Sequence, residues 1–346
     1  MVIWYLLVLI ATLVGFQVCK KGFFPDFLGK EQCNAIKGVF ILFVFLAHII
    51  VVVQDCGFIA ARRIDTMAYE ILGQMGQLIV AMFLFYSGYG VMMSYRTKGE
   101  KYLEAYPKSR LLTTLVNFDI AVFCYLVLAW TMGGRPGFSK VALSMIGWDS
   151  LGNSNWYIFV ILVCYLCFYV VMEMVHTRHF LGTVLVGALL LAAMLFLHAI
   201  KPHYWYSTVL VFPAGMFYAC YAETFNSLIQ KHYGVVLVIL TGAFLILHFG
   251  HIKAFHGLTY NLKAIVFSFL LVVITMKVRI GNKWLAWCGV SLFPIYIYQR
   301  LPMIAIRGLA GDEWVCGNPH VFIAICFLLT VGISLLYNRY LRIKIV

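Results

Sequence analysis

The chain has 346 residues, of which 63% are hydrophobic and 11% charged, and it carries a formal net charge of +13. A soluble protein this apolar has too few polar side chains to cover its surface, so the composition places the chain in a membrane. The positive balance calls for no nucleic acid, because membrane topology and anionic lipid account for it.

Apolar runs of span length fall near 1–18, 38–53, 71–94, 111–131, 156–175, 180–199, 207–222, 235–252, 262–278, 285–305 and 320–338. They predict an all-α, polytopic transmembrane helix bundle of about eleven spans. The longest polar loops are too short to fold alone, and no repeat period breaks the pattern.

The first run, Met1 to Val18, lacks a basic leading segment and a small-residue cleavage site, and Cys19-Lys20-Lys21 follows it. It reads as an uncleaved anchor with its N-terminus outside, leaving 19–346 as the main membrane domain. The loops 19–37, 95–110, 176–179, 223–234 and 277–284, with the tail from Arg339, then lie inside. They hold about two-thirds of the 26 basic residues, as the positive-inside rule requires. The C-terminus is inside on the same count.

The second run opens at Lys37 and contains a lone histidine, His48. Eleven steps of ~100° make about three turns plus 20°, so both side chains share one helix face some ~16 Å apart along the axis. An ionisable group that deep in hydrocarbon is expensive and points to function. A histidine suits proton transfer or covalent relay near neutral pH, conduction of a proton in a transporter, or merely a satisfied hydrogen bond in the bundle.

Ser87-Gly88-Tyr89-Gly90 interrupts the third run with small residues. They either allow close helix packing or let a substrate pass near backbone, with Ser87 as a donor. The basic loop that follows, with Lys108 and Arg110 at its end, sets topology and is also suited to gripping a phosphorylated group. Asn117 and Asp119 lie inside the fourth run, where an intramembrane carboxylate seeks a partner. A histidine on a neighbouring helix would serve, and Asp119 would then orient His48 as a carboxylate does in hydrolytic triads. A plain structural role for Asp119 is equally open.

Asn153-Ser154-Asn155-Trp156-Tyr157 opens the fifth run. Trp156 and Tyr157 belong at that depth as interfacial anchors, and Asn155 suits either a sugar hydroxyl or a helix cap. Lys263, His248, His251 and His256 fall around one predicted outer face. Gln299-Arg300 lies in the outer half of the tenth run, where Arg300 has room to snorkel outward.

Most of the ten cysteines sit inside runs, where a thiol acts as a small hydrophobe. Cys164-x-x-Cys167 has redox or zinc spacing but lies mid-helix, which favours packing; no metal site is expected. Cys56 and Cys316 both fall on the predicted outer side, where a disulfide is open to them, although connectivity cannot be read from spacing. Phosphate-loop, dinucleotide, zinc-helix and serine-elbow motifs are absent, which disfavours kinases, helicases and ATP-driven pumps.

Four stretches together resemble the integral-membrane acyltransferase-3 family, which O-acylates bacterial cell-surface and secreted glycans. Lys37-x10-His48 resembles its basic-residue-x10-His signature, with lysine where arginine is more usual. Phe83-Leu84-Phe85-Tyr86-Ser87-Gly88-Tyr89 resembles its aromatic Ser-Gly segment. Trp156-Tyr157 followed by Tyr165 resembles its tryptophan-aromatic helix, and Ser291 to Pro302 resembles its late Ser-Leu-x-x-Tyr helix. Many relatives have histidine where this chain has Gln299. The family core begins at the histidine helix with about ten spans, so residues 1–18 would be an added anchor before an acyltransferase domain at 19–346.

The resemblance implies an acyl-CoA donor, most often acetyl-CoA, approaching Lys37, Lys108 and Arg110 from the cytoplasm. It implies a glycan or lipid-linked sugar acceptor on the side of Asn155, Trp156, Tyr157, Gln299 and Arg300. His48, with Ser87 and Asp119 near it, would act as general base or accept the acyl group itself. The location implied is the bacterial cytoplasmic (inner) membrane. A histidine-dependent secondary transporter is the competing reading, although no pair of broken helices in inverted repeats supports it. A non-catalytic export partner is a third, and it would tolerate alanine at position 48.

Overall fold

The computed structural model describes residues 1–54, 56, 63–250 and 256–345. Helices make up 81% of the structure, as expected of a chain whose backbone must satisfy itself without water. Helix α1 (Val2–Leu13) leads through strand β1 (Phe16–Val18) into α2 (Lys30–Gln54), which carries Lys37 and His48. Then come α3 (Arg63–Met75) and α4 (Leu78–Lys98). Helix α5 (Glu100–Tyr106), a π-helical turn at Pro107–Leu112 and α6 (Thr113–Thr131) form one continuous helical length. The short α7 (Phe138–Met145) precedes the long pair α8 (Trp156–Val175) and α9 (His179–Ile200). Next follow α10 (Val211–Cys220), α11 (Ala222–Lys231), α12 (Tyr233–Phe249) and α13 (His256–Lys277), then strand β2 (Val278–Ile280). The chain ends with α14 (Lys283–Val290), α15 (Leu292–Tyr298), α16 (Arg300–Gly317), α17 (Pro319–Leu336), a π-helical turn at Tyr337–Leu341 and an extended tail.

Seven of these lengths are long and apolar enough to cross a membrane, or eight if α11 and α12, bent by 101°, count as one. The remaining three of the eleven expected runs take other forms. Helix α1 has 12 residues, so it rises only ~18 Å against a ~30 Å hydrocarbon core. Helix α10 has 10 residues, and the run 285–305 is divided among α14, α15 and α16. Prolines explain these restarts: Pro213, Pro294 and Pro302 each occupy the first turn of α10, α15 and α16. There the missing N–H breaks no intrahelical bond, whereas a helix running on from before would be interrupted.

The extended segment after α1 is not left open. β1 pairs antiparallel with β2, with Gln17 opposite Arg279. The Gln32 side chain closes the ribbon, donating to Val278 O and accepting from Ile280 N. At the other end of α1 the Met1 amine pairs with the buried Asp65 at 2.6 Å.

Two pairs of glycines bring helices into backbone contact. A Cβ on Gly38 would fall on the carbonyl of Leu285, and one on Gly289 would fall on that of Asn34, so α2 and α14 cross where neither has a side chain. Gly88 and Gly215 do the same for α4 and α10, meeting Phe212 and Phe85 respectively. Such crossings replace side-chain interdigitation with direct backbone packing, the usual way membrane helices come close. Cys56 and Cys316 form a disulfide that ties the segment after α2 to the end of α16. Cys164 and Cys167 remain free thiols within α8, in line with a packing role.

Candidate active site

His48 lies on the part of α2 that faces α15 and α16. Its ring is half-buried, and Nδ1 is buried without a hydrogen-bond partner. Tyr296 faces it with ring centroids 6.4 Å apart. The Gln299 side chain lies beside the imidazole, and the Arg300 guanidinium is near enough to act on it electrostatically. Gln299 is fully buried, anchors Nε2 on Tyr296 O at 3.1 Å, and leaves Oε1 unpaired. These neighbours come together because Tyr296, Gln299 and Arg300 stand at i, i+3 and i+4, and the backbone stays helical through Gln299 (φ −56°, ψ −32°), so one face carries all three.

Tyr157 stacks edge-on against Tyr296 at 5.4 Å and against Phe83 at 6.0 Å. The Ser87 side chain lies near the Tyr157 hydroxyl. The structure therefore gathers His48, Ser87, Tyr157, Gln299 and Arg300 round Tyr296. Arg300 is half-buried. Its guanidinium acts on His48, Tyr296 and Tyr125, all of them on the bundle side.

A row of tyrosines continues from this cluster to the face where the basic loops gather. Tyr157 neighbours Tyr165, Tyr165 packs against Tyr106 at 6.0 Å, and Tyr106 packs against Tyr102 at 5.4 Å. The Arg110 guanidinium sits among Tyr102, Tyr106 and Tyr165. Tyr106 and Tyr296 are buried with unpartnered hydroxyls. An unpaired hydroxyl in a protein interior is costly, which marks the row as a polar path through an apolar bundle.

Other expected residues fall elsewhere. Asp119 makes no hydrogen bond or ion pair with His48, and its buried Oδ1 has no partner. The reason is packing: α15 and α16 rest against both α2 and α6, while α2 and α6 share no substantial contact of their own. Asn117, two residues earlier, is structural, since its amide exchanges two hydrogen bonds with the backbone of Ile343 in the tail. Asn155 stands at the N-cap of α8 without a side-chain cap bond, and its Nδ2 donates instead to Gly147 O at 2.9 Å and Asp149 O at 3.0 Å. Its neighbours Asn153 and Ser154 are buried and keep Nδ2 and Oγ unpaired, so the free polar groups of this segment come one and two residues earlier than expected. Trp156 packs edge-on against Tyr204 at 6.1 Å.

Lys37 is half-buried beside Cys33, whose thiol faces Tyr86. Lys108 is exposed and gives its backbone carbonyl to Thr113 Oγ1. Of the three expected phosphate-binding cations, Arg110 is the one at the tyrosine row. Gly88 serves close packing against Phe212, and nothing lies within 4 Å of a Cβ on Gly90. His248 stacks on Phe244 at 5.2 Å and His256 packs against His203 at 5.5 Å, while His251 lies outside the described residues. No group of three metal-ligating side chains occurs among the described residues.

In the sequence Tyr296, Asn153 and Ser154 stand out only as members of longer motifs, and Tyr106 does not stand out at all. The signal for the tyrosines was their abundance, 21 residues, which has no face or function until helices are placed side by side.

Neither a curated protein nor a solved structure matches the chain. The family model described as an acyltransferase domain matches residues 31–339, from the start of the His48 helix to the turn after α17. The chain therefore belongs to the acyltransferase-3 family and is a membrane acyltransferase.

Proposed function

We propose that the protein is an O-acyltransferase moving an acyl group, acetyl from acetyl-CoA, to a hydroxyl of a cell-surface or exported glycan. The observation that carries this reading is His48 with its unpartnered nitrogen at one end of a tyrosine row whose other end is Arg110. A chain of buried hydroxyls from a cation to an imidazole suits a donor with phosphates at one end, amides along its arm and a thioester at its tip.

His48 acts in one of two ways. As general base it takes the proton of the acceptor hydroxyl while that oxygen forms a bond to the thioester carbonyl carbon, and the thiolate of CoA leaves. As acyl relay its nitrogen forms that bond first, releases the thiolate, and then yields the acyl group to the hydroxyl. Arg300 and Gln299 offer a cation and amide beside the carbonyl oxygen as negative charge develops there. Ser87 and Tyr157 hold the ring of Tyr296 against His48 and so fix the reacting geometry.

The same reading places the protein in a bacterial cytoplasmic membrane, N-terminus outside and C-terminus inside, with 1–18 as an anchor before the acyltransferase domain of 19–346. The Cys56–Cys316 disulfide supports that side assignment, because such bonds persist in oxidising compartments. The acceptor, a glycan or lipid-linked sugar, would approach from that side, past Asn153, Ser154 and Trp156.

The test uses membranes containing wild type or His48→Ala with acetyl-labelled acetyl-CoA, following label into glycan and into protein. Label reaching glycan in wild type alone supports the reading. Equal transfer by both ends the role of His48, and transfer by neither, across a panel of acyl donors, ends the O-acyltransferase assignment as drawn here.

A further inference from the structure

On the basic face, the start of α6, the junction of α14 with α15 and the C-terminal tail enclose a pocket of about 220 Å³. Ser109, Arg110, Thr114, Asn338 and Arg342 supply its polar lining, Pro294 belongs to its apolar wall, and no carboxylate side chain of the described residues lines it. Neither arginine forms an ion pair among the described residues. Arg342 is exposed, yet the tail that carries it is strapped down. Asn117 Nδ2 donates to Ile343 O at 2.8 Å and Asn117 Oδ1 accepts from Ile343 N at 3.0 Å, as a neighbouring strand would. Thr113 Oγ1 accepts from Ile345 N at 3.2 Å, and Tyr337 donates to Asn117 Oδ1 at 2.7 Å.

We infer that this pocket is a phosphate site, completed from the C-terminal tail by Arg342. Two arginines with Ser109 and Thr114 on the lining offer the charge and donors that a dianionic tetrahedral group takes, whereas a carboxylate ligand would neutralise only one of the two cations. The volume is below the ~300–1,000 Å³ of pockets that enclose a whole drug-sized ligand, so it receives one phosphorylated end and leaves the rest outside. Arg110 joins the pocket to the tyrosine row. Identifying that phosphorylated end as the head of the acyl donor rests on the function proposed above; the phosphate of a lipid headgroup offers the same chemistry.

The experiment titrates the full chain in nanodiscs of zwitterionic lipid with inorganic pyrophosphate and, separately, with coenzyme A. Arg342→Ala is expected to weaken pyrophosphate binding about ten-fold or more, with Arg342→Lys intermediate. Asn117→Leu, which frees the tail but keeps Arg342, should weaken it in the same direction. Unchanged pyrophosphate affinity in Arg342→Ala overturns the site. If that variant loses coenzyme A equally while S-acetylpantetheine is still used as a donor, the ligand is the donor head. If anionic lipid displaces pyrophosphate and coenzyme A never binds, the phosphate site stands with a headgroup in it and the donor assignment fails. If coenzyme A binds and acetyl transfer proceeds without regard to Arg342, the site fails and the acyltransferase reading stands.

Discussion

The crossing of α2 and α14 makes a demanding prediction, because a single methyl group at Gly38 meets backbone and not a movable side chain. Gly38→Ala places its Cβ on the carbonyl of Leu285, and no rotamer change relieves the overlap. The helices must part by on the order of 1 Å, a gap that forfeits a quarter to a half of the dispersion attraction across the seam. Overpacking of this kind costs about 1–3 kcal/mol, partly offset by the ~1 kcal/mol that alanine gains over glycine within a helix. The larger effect is on chemistry. α2 carries His48, while α14 leads directly into α15 and α16, which carry Tyr296, Gln299 and Arg300. A shift of ~1 Å between reacting groups lowers rate about 100-fold. The assay compares acetyl transfer and thermal unfolding of Gly38→Ala with Gly90→Ala, whose Cβ would meet nothing within 4 Å. Gly90→Ala should match wild type or be slightly more stable. Because Gly38 and Gly289 share one crossing, the double alanine variant should lose less than the two single losses combined. If Gly38→Ala transfers acetyl as well as Gly90→Ala does, the argument that this crossing sets the site is wrong.

Further outcomes can be measured on the same preparation. Lys37→Ala should raise the donor KM more than it lowers kcat, with Lys37→Arg tolerated; an unaltered donor KM would remove Lys37 from donor binding. Asp119→Asn should retain most activity, since the carboxylate makes no bond to His48; a loss as complete as that of His48→Ala would show that the two act together. Tyr296→Phe removes a buried hydroxyl that has no partner within the protein, so stability should hold or rise while transfer falls several-fold. Full activity in that variant would assign Tyr296 to packing alone. Cys56→Ser should lower the unfolding temperature, because it opens a loop whose ends are 260 residues apart in sequence; an unchanged transition would mean that the bond contributes nothing to the native state.

The sequence by itself determined the class and the chemistry. Its apolar runs required a helical bundle, since no other open architecture satisfies backbone polar groups in hydrocarbon. A histidine on one helix face with a lysine three turns away was visible as a candidate position before any helix was placed. What periodicity could not convey was which helices touch. Asp119 was a reasonable partner for His48 by chemistry, but α15 and α16 pack against both α2 and α6, and the imidazole faces Tyr296 and Gln299 instead. The run 285–305 looked continuous because apolar composition does not record a break; prolines at Pro294 and Pro302 sit in the first turns where the helix restarts, and Tyr296, Gln299 and Arg300 share one face at i, i+3 and i+4. Gly38, Gly289, Gly88 and Gly215 are ordinary one at a time and acquire meaning as reciprocal pairs. The tail shows the same limit. Asn117 in the fourth run and Ile343 near the end of the chain are 226 residues apart in sequence, and their two hydrogen bonds exist only once α17 brings the tail back to the start of α6. Local pattern fixes what each segment is able to bury, while tertiary packing decides which buried group meets which.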